Sequence, residues 1–322
     1  MSRLTSLQKW PDEKNDPARS GPDDFPKRVT VELTNNCNLA CEMCPRKYMT
    51  AKKGYMSFGL YEKIINEITS HKDVALIPFF RGESLLHPQF IDMMALARRK
   101  GVRSIQLATN ALVLKPETGK ALIDLELDFI SFSIDTVNAD IYARVRLGGD
   151  LFQVLKNIEF FCAYKKANGA DKPVIQVSTV RTIETAKHIN DFVKYWHDKA
   201  DRIRVYEEHS NNGSFGELNK TDCKDFPKRL PCLKPFTDLV IYWDGRAALC
   251  NHDWDRTRNL GDVNKTSIEE IWKSWKYQDI RTAHLENHND LEDLCKKCDH
   301  WKSHYLPERM IGELYAGKSE SL

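Results

Sequence analysis

The sequence predicts an α/β fold followed by a smaller C-terminal extension. Between Arg28 and Glu208, six short runs rich in β-branched and aromatic residues alternate with five longer segments of helical pattern, which indicates parallel βα units with right-handed crossovers. The alternation stops at 211–231, a segment rich in asparagine, glycine and proline. Nine cysteines, seven of them in two groups, indicate metal or redox chemistry because structural disulfides are rare in the cytoplasm.

Strands and helices follow one another in order along the first 210 residues. The predicted strands are Val29–Leu33, Val74–Phe80, Ser104–Ala108, Phe129–Ile134, Val174–Val180 and Ile203–Glu207. The predicted helices are Leu60–Ser70, Pro88–Lys100, Pro116–Leu125, Leu151–Lys166 and Ala186–Lys199. Leu60, Ile64 and Ile68 recur at the spacing of one apolar helix face. Periodicity alone does not distinguish an open doubly wound sheet from a partial barrel.

Beyond residue 231 the pattern predicts a hairpin and a helix. Leu239–Trp243 and Ala247–Leu249 flank an Asp-Gly dipeptide, which is typical of tight hairpin turns. A helix over Ser267–Trp275 and a Cys-Lys-Lys-Cys knuckle follow. We therefore expect a polar tail at 1–26, an α/β domain at 27–210, a linker at 211–231 and a C-terminal domain at 232–322.

Composition indicates an ordinary globular protein. Hydrophobic residues make up 41% of the chain and charged residues 29%, and the net charge of +2 gives no general electrostatic argument for a nucleic-acid or membrane partner. No run approaches the ~18 apolar residues of a membrane span. Residues 1–26 lack the apolar centre of a signal peptide. We expect a cytoplasmic protein.

The first cysteine group directly follows the first predicted strand, where α/β proteins form their sites. Cys37, Cys41 and Cys44 are separated by three and then two residues. Three thiolates can hold three irons of a [4Fe–4S] cluster and leave the fourth iron open to a substrate or cofactor. A structural zinc site with His71 or His87 as fourth ligand is the alternative, but short zinc knuckles favour Cys-x2-Cys pairs.

This spacing resembles the signature of the radical S-adenosylmethionine (SAM) superfamily, and the resemblance covers roughly 28–210. It implies a partial (β/α)6 barrel that binds SAM and cleaves it to a 5′-deoxyadenosyl radical. Met43 stands where the family usually has an aromatic residue beside the adenine. Arg81-Gly82-Glu83 resembles the Gly-Gly-Glu motif that binds the SAM methionine amino group, with Arg81 in place of the first glycine.

The same resemblance implies further SAM contacts at the ends of the third and fourth strands. Either of two arginines would pair with the SAM carboxylate, because a guanidinium group suits that partner. The implied contacts are Thr109, Asn110, Ser133, Asp135 and either Arg144 or Arg146.

The second cysteine group consists of Cys232, Cys250, Cys295 and Cys298. Four cysteines suit either a complete [4Fe–4S] cluster or a tetrahedral zinc ion, and spacing alone leaves both open. The surrounding sequence, including Trp243-Asp-Gly and Leu260-Gly-Asp, resembles the SPASM/twitch extension of radical SAM enzymes. That resemblance implies one auxiliary [4Fe–4S] cluster. His252 and Asp253 are expected to support the ligands and not to be ligands themselves.

Two such clusters would permit a two-electron oxidation. A radical abstracts hydrogen from a carbinol C–H bond, and loss of a proton and a second electron then gives a carbonyl, with the auxiliary cluster as electron acceptor. In an epimerase a thiol would return a hydrogen atom instead, and Cys223 is the candidate. The candidates for proton removal are Glu207, Glu208 and His209. Cys162 lies on an apolar helix side and is expected in the core.

The leading hypothesis is oxidation or epimerisation of a small polar metabolite, such as a sugar or aminocyclitol. SAM and an electron donor such as flavodoxin or ferredoxin would be partners, and no nucleic acid or membrane is expected. The alternative is modification of a peptide or protein side chain, as in sulfatase maturation, thioether formation or peptide epimerisation. It is less favoured because many peptide modifiers carry a larger N-terminal leader-binding domain.

Two further hypotheses have weaker support. A non-catalytic zinc-binding module would use the cysteines alone and would contain no iron. A tRNA-modifying enzyme would need a basic stripe, whereas Lys296, Lys297 and Lys302 form only a small patch.

Overall fold

A computed structural model describes residues 23–208, 229–256, 258–288, 293–296, 298–305 and 312–316. Within these residues the chain forms one nine-stranded sheet with the order β8-β7-β1-β2-β3-β4-β5-β6-β9. The strands are β1 (Arg28–Val31), β2 (Ala75–Ile77), β3 (Ser104–Thr109), β4 (Phe129–Ser133), β5 (Val174–Arg181), β6 (Arg202–Glu207), β7 (Asp238–Ile241), β8 (Ala247–Ala248) and β9 (Gly312–Ala316).

Helices connect the first six strands. The helices are α1 (Phe58–Thr69), α2 (Phe90–Arg99), α3 (Pro116–Asp124), α4 (Ala139–Val145), α5 (Leu151–Ala167), α6 (Ile189–Trp196), α7 (Lys234–Thr237), α8 (Ile268–Lys273), α9 (Trp275–Leu285) and α10 (Asp293–Lys296). Short 3-10 helices cover Pro45–Tyr48, Ser84–Leu86, Ala186–His188 and His300–His304. All six strands and five helices predicted in the first 210 residues are present, with small shifts at their ends.

Strands β1 to β6 pair in parallel and in sequence order, which confirms the partial (β/α)6 barrel. The predicted hairpin is also present: β7 and β8 are antiparallel, and Gly245 in the turn has φ of +91°. Glycine suits this position because side chains rarely adopt positive φ.

The C-terminal region supplies both edges of the sheet. Strand β7 pairs in parallel with β1, from Arg28 opposite Asp238 to Val31 opposite Ile241. At the other edge, β9 is antiparallel to β6. The hairpin therefore continues the barrel sheet and is not a separate lobe, a relation that the sequence pattern did not predict.

The hydrophobic core is shared by the barrel and the C-terminal region. The apolar face of α1, with Ile64 fully buried, packs in the same cluster as Ile241 of β7 and Trp272 of α8. The Trp272 indole N–H also donates to the Asp23 carbonyl at 2.8 Å. The predicted helix at Ser267–Trp275 is present as α8, which begins with a reciprocal Ser267–Glu270 capping box.

Among the described residues, no helix combines the length and apolar character needed to cross a membrane.

Candidate functional site

A cavity of about 440 Å³ lies where the barrel and the C-terminal region meet. This volume is within the usual range for small-molecule sites. Residues in or directly after β2, β4, β5 and β6 line it together with residues of the cysteine loop and the C-terminal region. The lining residues include Arg28, Met43, Ser133, Asp135, Arg146, Glu207, Glu208, Lys234, Asp238, Asn251, His252 and Trp254.

The first cysteine loop is fixed against the end of α4. The amides of Ala40 and Glu42 donate to the carbonyls of Leu147 and Val145 at 2.9 and 3.0 Å. The three thiols of this loop, Cys37, Cys41 and Cys44, are half-buried. Burial, with smaller contributions from the neighbouring thiolates, raises the pKa of Cys37 and raises that of Cys44 to about 11.

These thiols fit an iron–sulfur cluster in their donor chemistry. The charged forms of Cys37 and Cys44 are disfavoured by burial and by neighbouring negative charges, and coordination to iron would stabilise them. No group of three or more Cys, His, Asp or Glu side chains in the described ranges is close enough to hold one metal ion. A cubane does not require this, because each thiolate binds its own iron. His71, stacked on Phe25, and His87, bonded to the Met56 carbonyl, are engaged elsewhere.

Gly82 lets the segment before Glu83 lie directly against the cysteine loop. A Cβ atom at Gly82 would be 2.4 Å from the carbonyl oxygens of Thr34 and Asn36. The Glu83 amide donates to the same Asn36 carbonyl at 2.8 Å. Glycine is therefore required here by close backbone approach.

The Glu83 carboxylate organises the ends of β2 and β3. It accepts hydrogen bonds from the Thr109 hydroxyl at 2.9 Å and from the amides of Asn110 and Leu85 at 2.8 and 3.1 Å. Burial nevertheless raises its pKa. The Asn110 side-chain nitrogen lies 4.0 Å from the Cys37 sulfur. The structure thus brings Glu83, Thr109 and Asn110 together beside the first cysteine.

Asp135 and Arg146 form a second buried group next to the same loop. Their side chains pair at 2.5 Å, and Arg146 Nη1 lies 3.5 Å from the Cys41 sulfur. Burial lowers the pKa of Arg146, but the Asp135 and Cys41 charges outweigh it and raise that pKa overall. Arg144, in contrast, is exposed and pairs with Glu184 at 2.8 Å, away from the cavity. Of the two predicted arginines, only Arg146 lines the cavity.

The acidic residues after β6 have different surroundings. Glu207 accepts a hydrogen bond from Arg181 Nε at 2.9 Å. Burial, together with the charge of Glu42, raises the pKa of Glu208. His209 and Cys223 lie outside the described residues. Cys162 packs against the core, as expected, and burial raises its pKa to about 12.

All four cysteines of the second group converge on a separate, narrow cavity. Burial raises the pKa of Cys232 and Cys295 to about 12 and also raises that of Cys250 and Cys298. Four half-buried thiols that resist ionisation on their own fit a cluster that binds them as thiolates. Besides these thiols, the cavity is lined by Arg229, Lys234, Pro235, Leu249, His252, His284, Leu294, His300 and Trp301.

Lys234 and His252 line both cavities, so they separate the second cysteine group from the larger space. Lys234 pairs with Asp238 at 2.7 Å. The His252 amide donates to the Cys250 sulfur at 3.3 Å. Lys234 belongs to the sequence motif around Cys232. Its position between the two cavities could not be predicted from that motif, because it depends on how the chain folds.

Arg81, the residue that replaces a glycine in the Gly-Gly-Glu motif, points into the protein. It pairs with Glu32 through two nitrogens at 2.5 and 2.7 Å and donates to the Trp254 carbonyl at 2.5 Å. Its guanidinium group lies 4.3 Å from the Tyr242 ring centroid. Glu32 also accepts from the Trp243 amide at 3.2 Å. Arg81 and Glu32 therefore join the barrel to the C-terminal hairpin.

Comparison with known families matches both parts of the chain. A model of the radical SAM superfamily matches residues 31–195, and a model of SPASM, an iron–sulfur cluster-binding domain, matches residues 232–299. These families imply SAM and [4Fe–4S] clusters as cofactors, in agreement with the predicted ones.

Two sequence relatives differ in how much of the chain they match. The tungsten-containing aldehyde ferredoxin oxidoreductase cofactor-modifying protein of Pyrococcus furiosus is 27% identical over 314 residues, 84% of this chain and 87% of that protein. GTP 3′,8-cyclase of Alkaliphilus metalliredigens is 32% identical over 134 residues. That match covers 41% of this chain and 42% of the cyclase.

Solved structures share the fold. BtrN in complex with AdoMet and 2-DOIA has a TM-score of 0.57 at 18% identity, over 86% of this chain and 94% of BtrN. SuiB of Streptococcus suis bound to S-adenosylmethionine has a TM-score of 0.66 at 14% identity, over 89% of this chain and 77% of SuiB.

Proposed function

The chain belongs to the radical SAM superfamily, and on that premise we propose that it oxidises a carbinol C–H group of a small polar metabolite of sugar or aminocyclitol type. The observation that carries the proposal is the cavity between the two cysteine groups. Charged and polar side chains line it, and Lys234 and His252 separate it from the second group by a single layer of side chains. A substrate there would lie next to an electron acceptor, as an oxidation requires.

The proposed cofactor sites follow the two cysteine groups. Cys37, Cys41 and Cys44 would hold the SAM-cleaving cluster, and the four C-terminal cysteines would hold the auxiliary cluster. When bound, SAM and the first cluster supply the hydrogen-abstracting radical, and the auxiliary cluster accepts the remaining electron. We assign 27–210 to the first function and 232–322 to the second.

The residues around the first loop would orient SAM. Gly82 and Glu83 would receive its methionine end, with Thr109 and Asn110 holding the Glu83 carboxylate in place. Ser133, Asp135 and Arg146 line the larger cavity and would contact the part of SAM that extends into it. Arg144 is left out of the proposed site because its partner is Glu184 on the surface.

After the radical has taken the C–H hydrogen, the hydroxyl proton must be removed. We assign this step to Glu208 in preference to Glu207. Glu208 lines the cavity, and burial raises its pKa, which brings a carboxylate closer to the range of an effective general base. Glu207 is less suited because its carboxylate is already paired with Arg181. His209 remains a candidate for proton removal on the basis of the sequence.

A second candidate function is the modification of an organic cofactor precursor. It is favoured by the relative from Pyrococcus furiosus, whose name describes a cofactor-modifying protein and whose match covers 84% of this chain. Peptide modification draws on structural neighbours such as SuiB bound to its precursor peptide, which at 14% identity supports a shared fold alone. For either small-molecule function we expect a cytoplasmic protein that receives electrons from a flavodoxin or ferredoxin.

The first experiment counts irons in anaerobically purified protein. Wild type should contain about eight irons, and a Cys37/Cys41/Cys44 triple-Ala variant about four. If the variant contained no iron, the second cysteine group would hold no iron–sulfur cluster, and the proposed reaction would have no auxiliary electron acceptor. If wild-type protein prepared in the same way contained zinc and no iron, the proposal that the protein is an iron–sulfur enzyme would be refuted.

The second experiment identifies the reaction. Protein, SAM and dithionite are incubated with polyols, aminocyclitols, cofactor precursors and peptides, and 5′-deoxyadenosine is measured against a substrate-free control. An oxidised substrate should lose two hydrogens, with one SAM consumed per product. An epimerised substrate should instead gain one deuterium in D₂O. Release of 5′-deoxyadenosine with peptides alone would refute the small-molecule proposal.

A matched pair of variants tests the proton acceptor. Glu208→Gln should lower the oxidation rate by about 100-fold, in line with the usual contribution of a general base. Glu207→Gln is the control, and it should retain most of the rate because its carboxylate is held by Arg181. Equal effects of the two changes would contradict the assignment.

A further inference from the structure

We propose that His284 and His304 are positioning residues that donate hydrogen bonds to the thiolates of the auxiliary cluster and raise its reduction potential. The inference rests on the assignment of the four C-terminal cysteines to that cluster. It concerns how this chain makes the cluster an electron acceptor, which the family matches do not address. Neither histidine belongs to a sequence motif that pointed to the site.

His284 joins two of the cysteines through the two nitrogens of one ring. It is 1% exposed on α9. The Cys232 amide donates to its Nδ1 at 3.3 Å. An imidazole nitrogen that accepts a hydrogen bond carries no proton, so the ring proton lies on Nε2. Nε2 is 3.7 Å from the Cys295 sulfur, and the N–H therefore faces that thiolate.

His304 approaches the same cysteines from a different element, the 3-10 helix His300–His304. Its Nε2 lies 3.6 Å from the Cys232 sulfur. The 3-10 helix that carries it is fixed by the neighbouring Tyr305, whose hydroxyl donates to the Pro231 carbonyl at 2.8 Å. This anchor holds the imidazole next to the segment that contains Cys232.

Hydrogen bonds of this kind have a defined effect on a cluster. Reduction adds negative charge, which a buried, largely apolar site disfavours. Donors aimed at the sulfurs stabilise the reduced form and so raise the potential. A cluster that must take an electron from a substrate radical benefits from this shift. The two histidines thus support the acceptor role that the proposed oxidation needs.

The test measures the auxiliary cluster by itself. In the full-length triple-Ala variant at Cys37, Cys41 and Cys44, we would titrate the remaining cluster potentiometrically and follow its EPR signal. His284→Phe and His304→Phe should each shift the redox equilibrium towards the oxidised form by about tenfold, equivalent to ~59 mV for one electron. His284→Gln, which keeps a donor near the Nε2 position, should recover most of the shift.

Surface His188, paired with Asp191 at 3.8 Å, supplies the control His188→Phe, which should leave the potential unchanged. Potentials of both Phe variants that equal this control, with about four irons retained, would overturn the inference but leave the cluster assignment intact. Equal shifts in His284→Phe and His284→Gln would also overturn it, because packing would then be the cause. An iron-free triple-Ala parent would refute the cluster assignment itself.

If the Phe variants lose the cluster, the hydrogen bonds are tested in protein that retains both histidines. Protein labelled with ¹⁵N-histidine should show nitrogen coupling and an exchangeable proton at the reduced auxiliary cluster by pulsed EPR. Absence of both couplings would overturn the inference.

Discussion

Replacing Gly82 by alanine tests whether close contact with the cysteine loop positions the proposed SAM-binding residue Glu83. The added Cβ would meet two backbone oxygens at 2.4 Å, whereas ordinary contacts begin at 3.4 Å, so the loop and the Glu83 segment must separate by about 1 Å. Neither neighbour is a flexible side-chain end that could rotate away. The hydrogen bond from the Glu83 amide to Asn36 lies in this contact and would be displaced.

The expected cost has a structural and a binding part. Overpacking of this kind costs about 1–3 kcal/mol of folding free energy. Misplacing Glu83 would remove a charge-assisted hydrogen bond to the ligand, worth about 1.5–3 kcal/mol. That loss corresponds to a roughly 10- to 100-fold weaker Kd for SAM. Equilibrium dialysis with labelled SAM measures the affinity, and anaerobic urea unfolding measures the stability.

Gly59 provides the matched control for this substitution. It lies in α1, and a Cβ atom there would meet nothing within 4 Å. Gly59→Ala should therefore leave SAM binding unchanged without lowering the free energy of unfolding, because the added methyl group meets no neighbour. If Gly82→Ala bound SAM within threefold of the wild type while both proteins kept their iron, close backbone packing would not be what positions Glu83.

Two further predictions concern stability. Arg81→Leu should lower the free energy of unfolding by about 3–5 kcal/mol because Glu32 would be left charged in a site with 0% exposure, and adding Glu32→Gln should restore part of it; a loss below ~1 kcal/mol in urea unfolding would contradict the pairing. Burial alone would raise the pKa of Asp128, but hydrogen bonds from Lys172 and Arg98 outweigh it and lower that pKa below 3.8. The loss of unfolding free energy caused by Asp128→Asn should therefore be complete above the ordinary pKa of Asp and should vanish as pH falls through the lowered pKa. A loss that did not change with pH would contradict this.

Much of the fold could be predicted because strand and helix periodicities in the first 210 residues are regular. Element ends were less predictable: β2 ends at Ile77 because Pro78 cannot donate to the ladder. Helix α9 was missed because its buried face includes Arg281 and His284, which hide the apolar period. The edge strand β9 was missed because five residues give too little pattern.

The division of seven cysteines into two groups could be recognised in the sequence, but the surroundings of individual side chains could not be predicted. Arg144 and Arg146 are two residues apart, yet the first faces solvent and the second turns into the cavity at the end of α4, where the backbone leaves helical geometry. The partner of Arg81 lies 49 residues away in sequence, so its pairing depends on the parallel packing of β1 and β2. Only the folded sheet brings such groups together.

The sheet also fixes how the second cysteine group lies relative to the cavity. Strand β7 is hydrogen-bonded along β1, and Cys250 follows the hairpin partner β8 by two residues. The buried Arg81–Glu32 pair reinforces this junction through the Trp254 carbonyl and the Trp243 amide. Backbone hydrogen bonds and a buried ion pair therefore fix the position of the second cysteine group relative to the cavity. Lys234, in α7 directly before β7, and His252, four residues after β8, line both cavities, so the same strands place the side chains that lie between them.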